Sequence, residues 1–276
     1  MTTLSQYRKY YNTSDANIVE ADLPFDTVAY GANGRIGQRA SWNPTVLETL
    51  ERWYEASTEN LFQDSTRTTP VTSDADPVGS WTDLTGNGNH FSQSTEANRG
   101  IFKAAVPEVS GDRSGIYGDG SNDHLIAPNY TPDSPYMIGV YFNHAVSEIK
   151  GLFSLQNTLS SGSPHMFIRT NSTGAQLYIS GAYAISWADT FGQNNSVVVR
   201  VTQPSSNWLV DAWLNGVKAT QYNAGTVLAN QTAQGLYALN SFGGYSTNKL
   251  MTVIVATGVF TDEEAMLLHQ YMAGEV

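Results

Sequence analysis

Trp208-Leu-Val-Asp-Ala-Trp-Leu214 runs into Asn215-Gly216 and out again through Val217-Lys-Ala-Thr-Gln-Tyr222. Asn and Gly are the residues that best tolerate positive φ, which a two-residue reversal between twisted strands requires, so this stretch reads as an antiparallel hairpin. Just before it, Ser196-Val-Val-Val-Arg-Val-Thr202 sends Val197, Val199 and Val201 to one side and Ser196, Val198, Arg200 and Thr202 to the other. That period of two marks a half-buried strand. Together the two signals commit this half of the chain to antiparallel sheet.

The rest of the chain agrees. Short strand-like runs separated by turn clusters recur at Met137 to Phe142, Gly151 to Gln156, Met166 to Thr170, Gln176 to Ser180, Gly235 to Leu239 and Leu250 to Val255, as in a sandwich. With 41% hydrophobic and only 14% charged residues, and with abundant Gly, Ser, Thr and Asn, the composition suits many turns and one sizeable core. Two helices are expected at the ends of this all-β domain. Asn43 can cap and Pro44 can open a helix whose stripe, Val46, Leu47, Leu50, Trp53 and Tyr54, recurs at three- and four-residue spacing through to about Ala56. At the other end Thr261-Asp-Glu-Glu264 is a capping box for a helix from Glu263 to Met272.

Residues 1–42 keep no periodicity and read as an extended arm, leaving 43–276 as the domain. The aromatic rings of that arm, Tyr7, Tyr10, Tyr11, Phe25 and Tyr30, gain by burial against the domain or a neighbouring subunit. A net charge of -11 provides no basic stripe for a phosphate backbone and is repelled by anionic lipid, so neither nucleic acid nor a membrane is an expected partner. The absence of cysteine excludes disulfides, thiolate metal sites and a cysteine nucleophile. The opening residues from Met1 lack the apolar run of a secretory signal, and nothing approaches transmembrane length.

Five segments carry a family resemblance. Trp81-Thr-Asp-Leu-Thr-Gly-Asn-Gly-Asn-His90 is similar to a tryptophan, aspartate, "SGNGN" opening, and Gly118-Asp-Gly-Ser-Asn-Asp-His-Leu125 resembles an "FDGSDDYL" segment. Leu214-Asn-Gly-Val217 matches a "vNGk" hairpin. Phe242-Gly-Gly-Tyr245 before Leu250 to Val255, and Thr261-Asp-Glu-Glu-Ala265, resemble a closing strand and an "LsdeE" helix. In this order, over roughly residues 43 to 274, they resemble the concanavalin A-like lectin/glucanase superfamily, specifically the laminin-G-like jelly rolls of bacterial surface and phage virion proteins. The resemblance implies a two-sheet antiparallel jelly-roll sandwich. One departure stands out: Gly118 precedes Asp119 where the family has an apolar aromatic, and Tyr117 lies one place earlier.

Candidate chemistry divides by residue type. Glycosidases of the superfamily place two or three carboxylates on alternate positions of one strand, and no Glu-x-Asp-x-Glu or Glu-x-Asp-x-x-Glu run occurs here. His90, His124, His144, His165 and His269 lack metal-binding spacing, and Gly-x-Ser-x-Gly is missing. Calcium is the one cofactor with a candidate set, the hard oxygens of Asp83, Asp119, Asn122 and Asp123, although Asx turns account for the same residues. Glycan binding would use Tyr178, Tyr183, Trp187, Tyr222, Tyr237 and Tyr245 for stacking, against the plainer reading that strand aromatics fill a core.

These considerations give the expectation of a non-enzymatic structural protein of a phage virion, a capsid decoration protein or a short tail or fibre adhesin. Its arm would attach to other virion proteins, with a homo-oligomer, a trimer by particle symmetry, as the assembly. The alternative is a lectin-like module that binds host surface glycans; a glycosidase ranks behind both.

Overall fold

The computed structural model describes residues 29–30, 36–37, 42–47, 49–105, 113–130, 135–143, 150–156, 166–172, 174–179, 182–188, 192–203, 207–225, 234–241 and 244–275. Most of the expected arm, residues 1–42, lies outside them. Its described parts are Trp42 and a two-stranded ladder of β1 (Ala29–Tyr30) and β2 (Ile36–Gly37).

Short strands come first: β3 (Leu50–Glu55), β4 (Leu61–Phe62), β5 (Ser80–Trp81), β6 (Phe91–Ser92), β7 (Ile101–Lys103) and β8 (Gly115–Tyr117). Longer ones follow, β9 (Leu125–Tyr130), β10 (Tyr136–Asn143), β11 (Lys150–Gln156), β12 (Met166–Asn171), β13 (Gly174–Ile179), β14 (Ala182–Ala188) and β15 (Asn194–Thr202). After β16 (Trp208–Leu214), β17 (Val217–Lys218), β18 (Tyr222–Gly225) and β19 (Gln234–Ala238), a small hairpin of β20 (Asn240–Ser241) and β21 (Gly244–Tyr245) leads to β22 (Lys249–Thr257). Helix α1 (Asp262–Ala273) closes the fold.

Two nine-stranded antiparallel sheets make the sandwich. The first runs β17-β16-β15-β10-β22-β8-β7, with β18 beside β16 and β3 beside β22. In the second the order is β14-β13-β12-β11-β19-β9-β6-β5-β4. Between them lies the main core, where Tyr54, Trp81, Phe91, Phe142, Ile168, Leu177, Val197, Val199 and Leu236 pack.

A second core sits on the outer face of the first sheet. Leu267, Leu268 and Met272 of α1 pack there on Met137, Tyr141, Val198, Trp213 and Ile254, together with Trp42 and Leu47. Because both faces are covered, β10 and β22 are buried along nearly their whole length. Truncating wholly buried Leu268 to Ala would cost about 2–5 kcal/mol and loosen this layer.

The same double covering explains why the first expected helix is mostly a strand. Asn43 does cap a helical turn, its side chain accepting from Thr45 N, but the turn is a single 3-10 turn, Pro44–Val46. Beyond it Leu50–Glu55 forms β3, pairing Tyr54 with Val253 and Trp53 with Ile254. Tyr54 enters the main core while Trp53 packs against the second. A strand with apolar residues on both faces loses its alternation, and Leu50, Trp53 and Tyr54 then imitate a helical stripe.

Elsewhere the local chemistry acts as expected. Asn215 and Gly216 take φ of 48° and 75° at the hairpin tip. The capping box is reciprocal: Glu264 N donates to Thr261 Oγ1 at 3.1 Å and Thr261 N to Glu264 Oε2 at 2.8 Å. Trp81 and Phe91, both fully buried, pair across β5 and β6 with ring centroids 5.8 Å apart. Gly86 and Gly88, at φ 83° and 76°, turn the chain between them.

Candidate functional site

Since α1 occupies the outer face of the first sheet, the second sheet offers the other broad surface. In β12 and β13, Ile168, Ala175 and Leu177 point into the main core, so the period of two turns Phe167, Arg169, Gln176 and Tyr178 outward. Register places Phe167 opposite Tyr178 and Arg169 opposite Gln176. On β14, Ser186 continues the Gln176 row and is exposed. On the other side Ser154 of β11 stands opposite Phe167, and Tyr237 of β19 opposite Ser154.

The side chains interlock. Phe167 and Tyr178 stack with centroids 4.5 Å apart and planes 10° from parallel. The Arg169 guanidinium lies 4.3 Å from the Tyr178 centroid, donates from Nε to Gln176 Oε1 at 3.0 Å and bonds the Tyr178 hydroxyl at 2.5 Å. Phe167 is buried, whereas Tyr178, Arg169 and Gln176 remain partly exposed. Next to this array a Cβ on Gly235 would come within 2.9 Å of the Tyr237 ring, so the glycine makes room for the ring to lie along β19. Tyr237 is buried, which raises its phenol pKa.

Buried amides adjoin them. Ser154 Oγ donates to Asn240 O, and Gln156 Nε2 donates to Asn240 Oδ1 at 3.1 Å. Among the described residues Gln156 Oε1 and Asn240 Nδ2 are buried without a hydrogen-bond partner.

Of the six aromatics expected to bind sugar, the structure brings Tyr178 and Tyr237 to this one face. The backbone of Tyr183 is in register with Tyr178, while its side chain lies outside the described residues. Trp187 points inward and belongs to the main core, and Tyr222 packs against that core. Tyr245 sits on the β20–β21 hairpin with its ring 6.1 Å from His124. Phe167, Arg169 and Gln176 did not emerge from the sequence, although the alternation of Met166 to Asn171 against Gly174 to Ile179 carried the signal.

The four calcium candidates occupy two separate turns. Asp83, buried in the Trp81 to Phe91 hairpin, accepts from the amides of Trp53, Thr85 and Asn89 and from the Thr85 hydroxyl. Asp119 accepts from Ser121 N and Asn122 N, the Asn122 side chain donates to Asn98 Oδ1, and Asp123 Oδ2 accepts from Asp119 N at 2.8 Å. Burial and the neighbouring Asp119 carboxylate push Asp123 up to about 6 against the amide bond that lowers it. Among the described residues no three His, Cys, Asp or Glu side chains gather as metal ligands would. The departure at Gly118 has a steric cause: a Cβ there would lie 2.4 Å from the Ser246 carbonyl oxygen.

No family model matches the chain, and no curated protein matches it by sequence. Solved structures do. Trypanosoma rangeli sialidase in complex with 2,3-difluoro-KDN aligns over 98% of this chain at a TM-score of 0.57 and 9% identity, covering 38% of the sialidase. The sialidase in its own right aligns over 82% of this chain and 33% of its own, at 0.54 and 11%. Domain 4 of AbnA, a GH43 extracellular arabinanase from Geobacillus stearothermophilus solved in complex with arabinotriose, aligns over 80% of this chain and 98% of that domain, at 0.53 and 13% identity. The chain thus spans about a third of the sialidases, and at such identities the likeness is one of fold. These neighbours correct the expectation of a non-enzymatic phage structural protein. Proteins that share the sandwich are a sialidase, an arabinofuranosidase and an arabinanase domain, and no link to a virion accompanies them.

Proposed function

We propose that the chain is a carbohydrate-binding jelly roll of the concanavalin A-like, laminin-G-like kind, and that the outward face of β12 to β14 receives the oligosaccharide. The observation that carries this reading is the ordered array on that face: Phe167, Tyr178 and Arg169 locked together, with Gln176 and Ser186 in the next row. Sugars offer an apolar C–H surface and a rim of hydroxyls, and a site for them needs an aromatic wall beside a few fixed polar groups. Partly exposed Tyr178 is the wall; Gln176, Ser186 and Arg169 are the fixed groups. The arabinanase domain, solved with arabinotriose and matched over 98% of its length, supports the assignment at the level of fold.

Because Arg169 already holds Gln176 and Tyr178 in place, little side-chain entropy remains to be lost on binding. A shallow face of this type is expected to bind with Kd of roughly 10 µM to 1 mM, about 4 to 7 kcal/mol. Screening the purified protein on an oligosaccharide array, beside Tyr178→Ala, tests the proposal. Saturable binding that the substitution weakens is expected; equal binding by both proteins would place the site elsewhere.

A further inference from the structure

We propose that the glycan is acidic, a chain with uronic acid units, and that Arg169 is the residue that selects it. This rests on the carbohydrate-binding reading of the same face and names the class of sugar it takes.

The first support is the distribution of charge. In a chain with 25 acidic residues and a net charge of -11, strands β9, β11, β12, β13, β14 and β19 contain no Asp or Glu, and their only cations are Lys150 and Arg169. At physiological ionic strength a charge is largely screened beyond about 8 Å, so the absence of carboxylates from these strands weighs more than the net charge of the molecule.

The second is the state of Arg169. Its two hydrogen-bond partners, Gln176 Oε1 and the Tyr178 hydroxyl, are neutral. Arg200 on the first sheet is the contrast, neutralised by Asp211 at 2.5 Å and Asp262 at 2.7 Å. Among the described residues no carboxylate pairs with Arg169. A guanidinium has five N–H donors, and two are engaged here. The remaining donors lie on a planar group already fixed against Tyr178 at 4.3 Å, and a planar guanidinium edge matches the two oxygens of a carboxylate. A hydroxyl can take one such donor; a carboxylate takes two in parallel and also meets the uncompensated charge.

The test is calorimetric titration at 0.15 M salt with trigalacturonate and with α-1,4-galactotriose, which carries hydroxymethyl groups in place of the carboxylates. Wild type is expected to bind the acidic trimer about tenfold more tightly or better, the scale of a hydrogen bond between charged groups. Arg169→Met should abolish that preference, weakening the acidic trimer more than the neutral one until the two bind alike, and Arg169→Lys, which keeps charge without the fork, should retain only part of it. Arg169→Lys also serves if Arg169→Met fails to fold, with the thermal midpoint as the check. Equal affinity of wild type for both trimers, or a preference that survives the loss of the guanidinium, overturns the acidic-glycan proposal and leaves carbohydrate binding standing. Binding of neither trimer overturns both.

Discussion

Phe167 and Tyr178 stand opposite each other on neighbouring strands with their rings stacked at 4.5 Å, and the guanidinium of Arg169 braces the tyrosine from the same face. The rings differ in role. Phe167 is buried, so Phe167→Ala should act on folding, lowering stability by about 3 kcal/mol in denaturant titration. Tyr178 is partly exposed, and Tyr178→Phe should leave the unfolding midpoint nearly unchanged while releasing Arg169 from its hydroxyl partner. A large stability loss for Tyr178→Phe would mean that the hydroxyl anchors the sheet rather than the arginine.

Asp83 ties the Trp81 to Phe91 hairpin to β3 through the amide of Trp53, thirty positions away. Asp83→Ala would leave that amide and that of Asn89 without their acceptor, at a cost of about 2–3 kcal/mol. The expected readout is a lower urea midpoint with an unchanged slope. Chelator should lower the melting temperature of neither protein. A chelator effect on wild type that Asp83→Ala lacks would instead give the carboxylate to a cation.

His269 fastens α1 to the first sheet through Ser196 Oγ, 2.5 Å from its Nδ1. Burial lowers its pKa from 6.5, with Glu275 acting weakly the other way. A depressed folded-state value means the fold favours the neutral ring. Its contribution is therefore present above the unfolded value near 6.5 and is lost as pH falls below it. The melting temperature of wild type should drop more steeply between pH 7 and 5 than that of His269→Gln, and parallel curves would refute the linkage.

Asp123 has the opposite sign. Its folded value, raised to about 6 from 3.8, favours the protonated form, so its contribution is present below 3.8 and disappears as pH rises through about 6. Asp123→Asn keeps an oxygen for the Asp119 amide and removes the buried charge. It should raise the melting temperature at pH 7 and bring little gain at pH 4; a loss at pH 7 would show that the ionised carboxylate is needed.

Much of the fold was legible because local chemistry and tertiary structure agree. Asn215-Gly216 and Thr261 with Glu264 each specify a turn or a cap without distant help. Leu50 to Glu55 imitates a helical stripe because helix and core cover opposite faces of the same strand. For the aromatics the difficulty is of another kind. Tyr178 and Trp187 both stand on alternating strands, and only the pairing of β13 with β14 reveals that one ring faces outward while the other fills the core. Arg169 gives no signal in the sequence because a lone arginine gains meaning from what lies across the strand. Its partners are Gln176 and Tyr178, seven and nine positions along the chain.

The central claim is that the outward face of the second sheet binds oligosaccharide. Its most direct measurement is titration of neutral and acidic trisaccharides into wild type and into a Tyr178→Ala, Gln176→Ala double variant whose melting temperature shows it folded. The account predicts saturable binding by wild type and at least about tenfold weaker binding by the double variant, in line with the loss of one aromatic contact and one polar contact. Undiminished binding by the variant, or no binding of any trisaccharide by wild type, would contradict it.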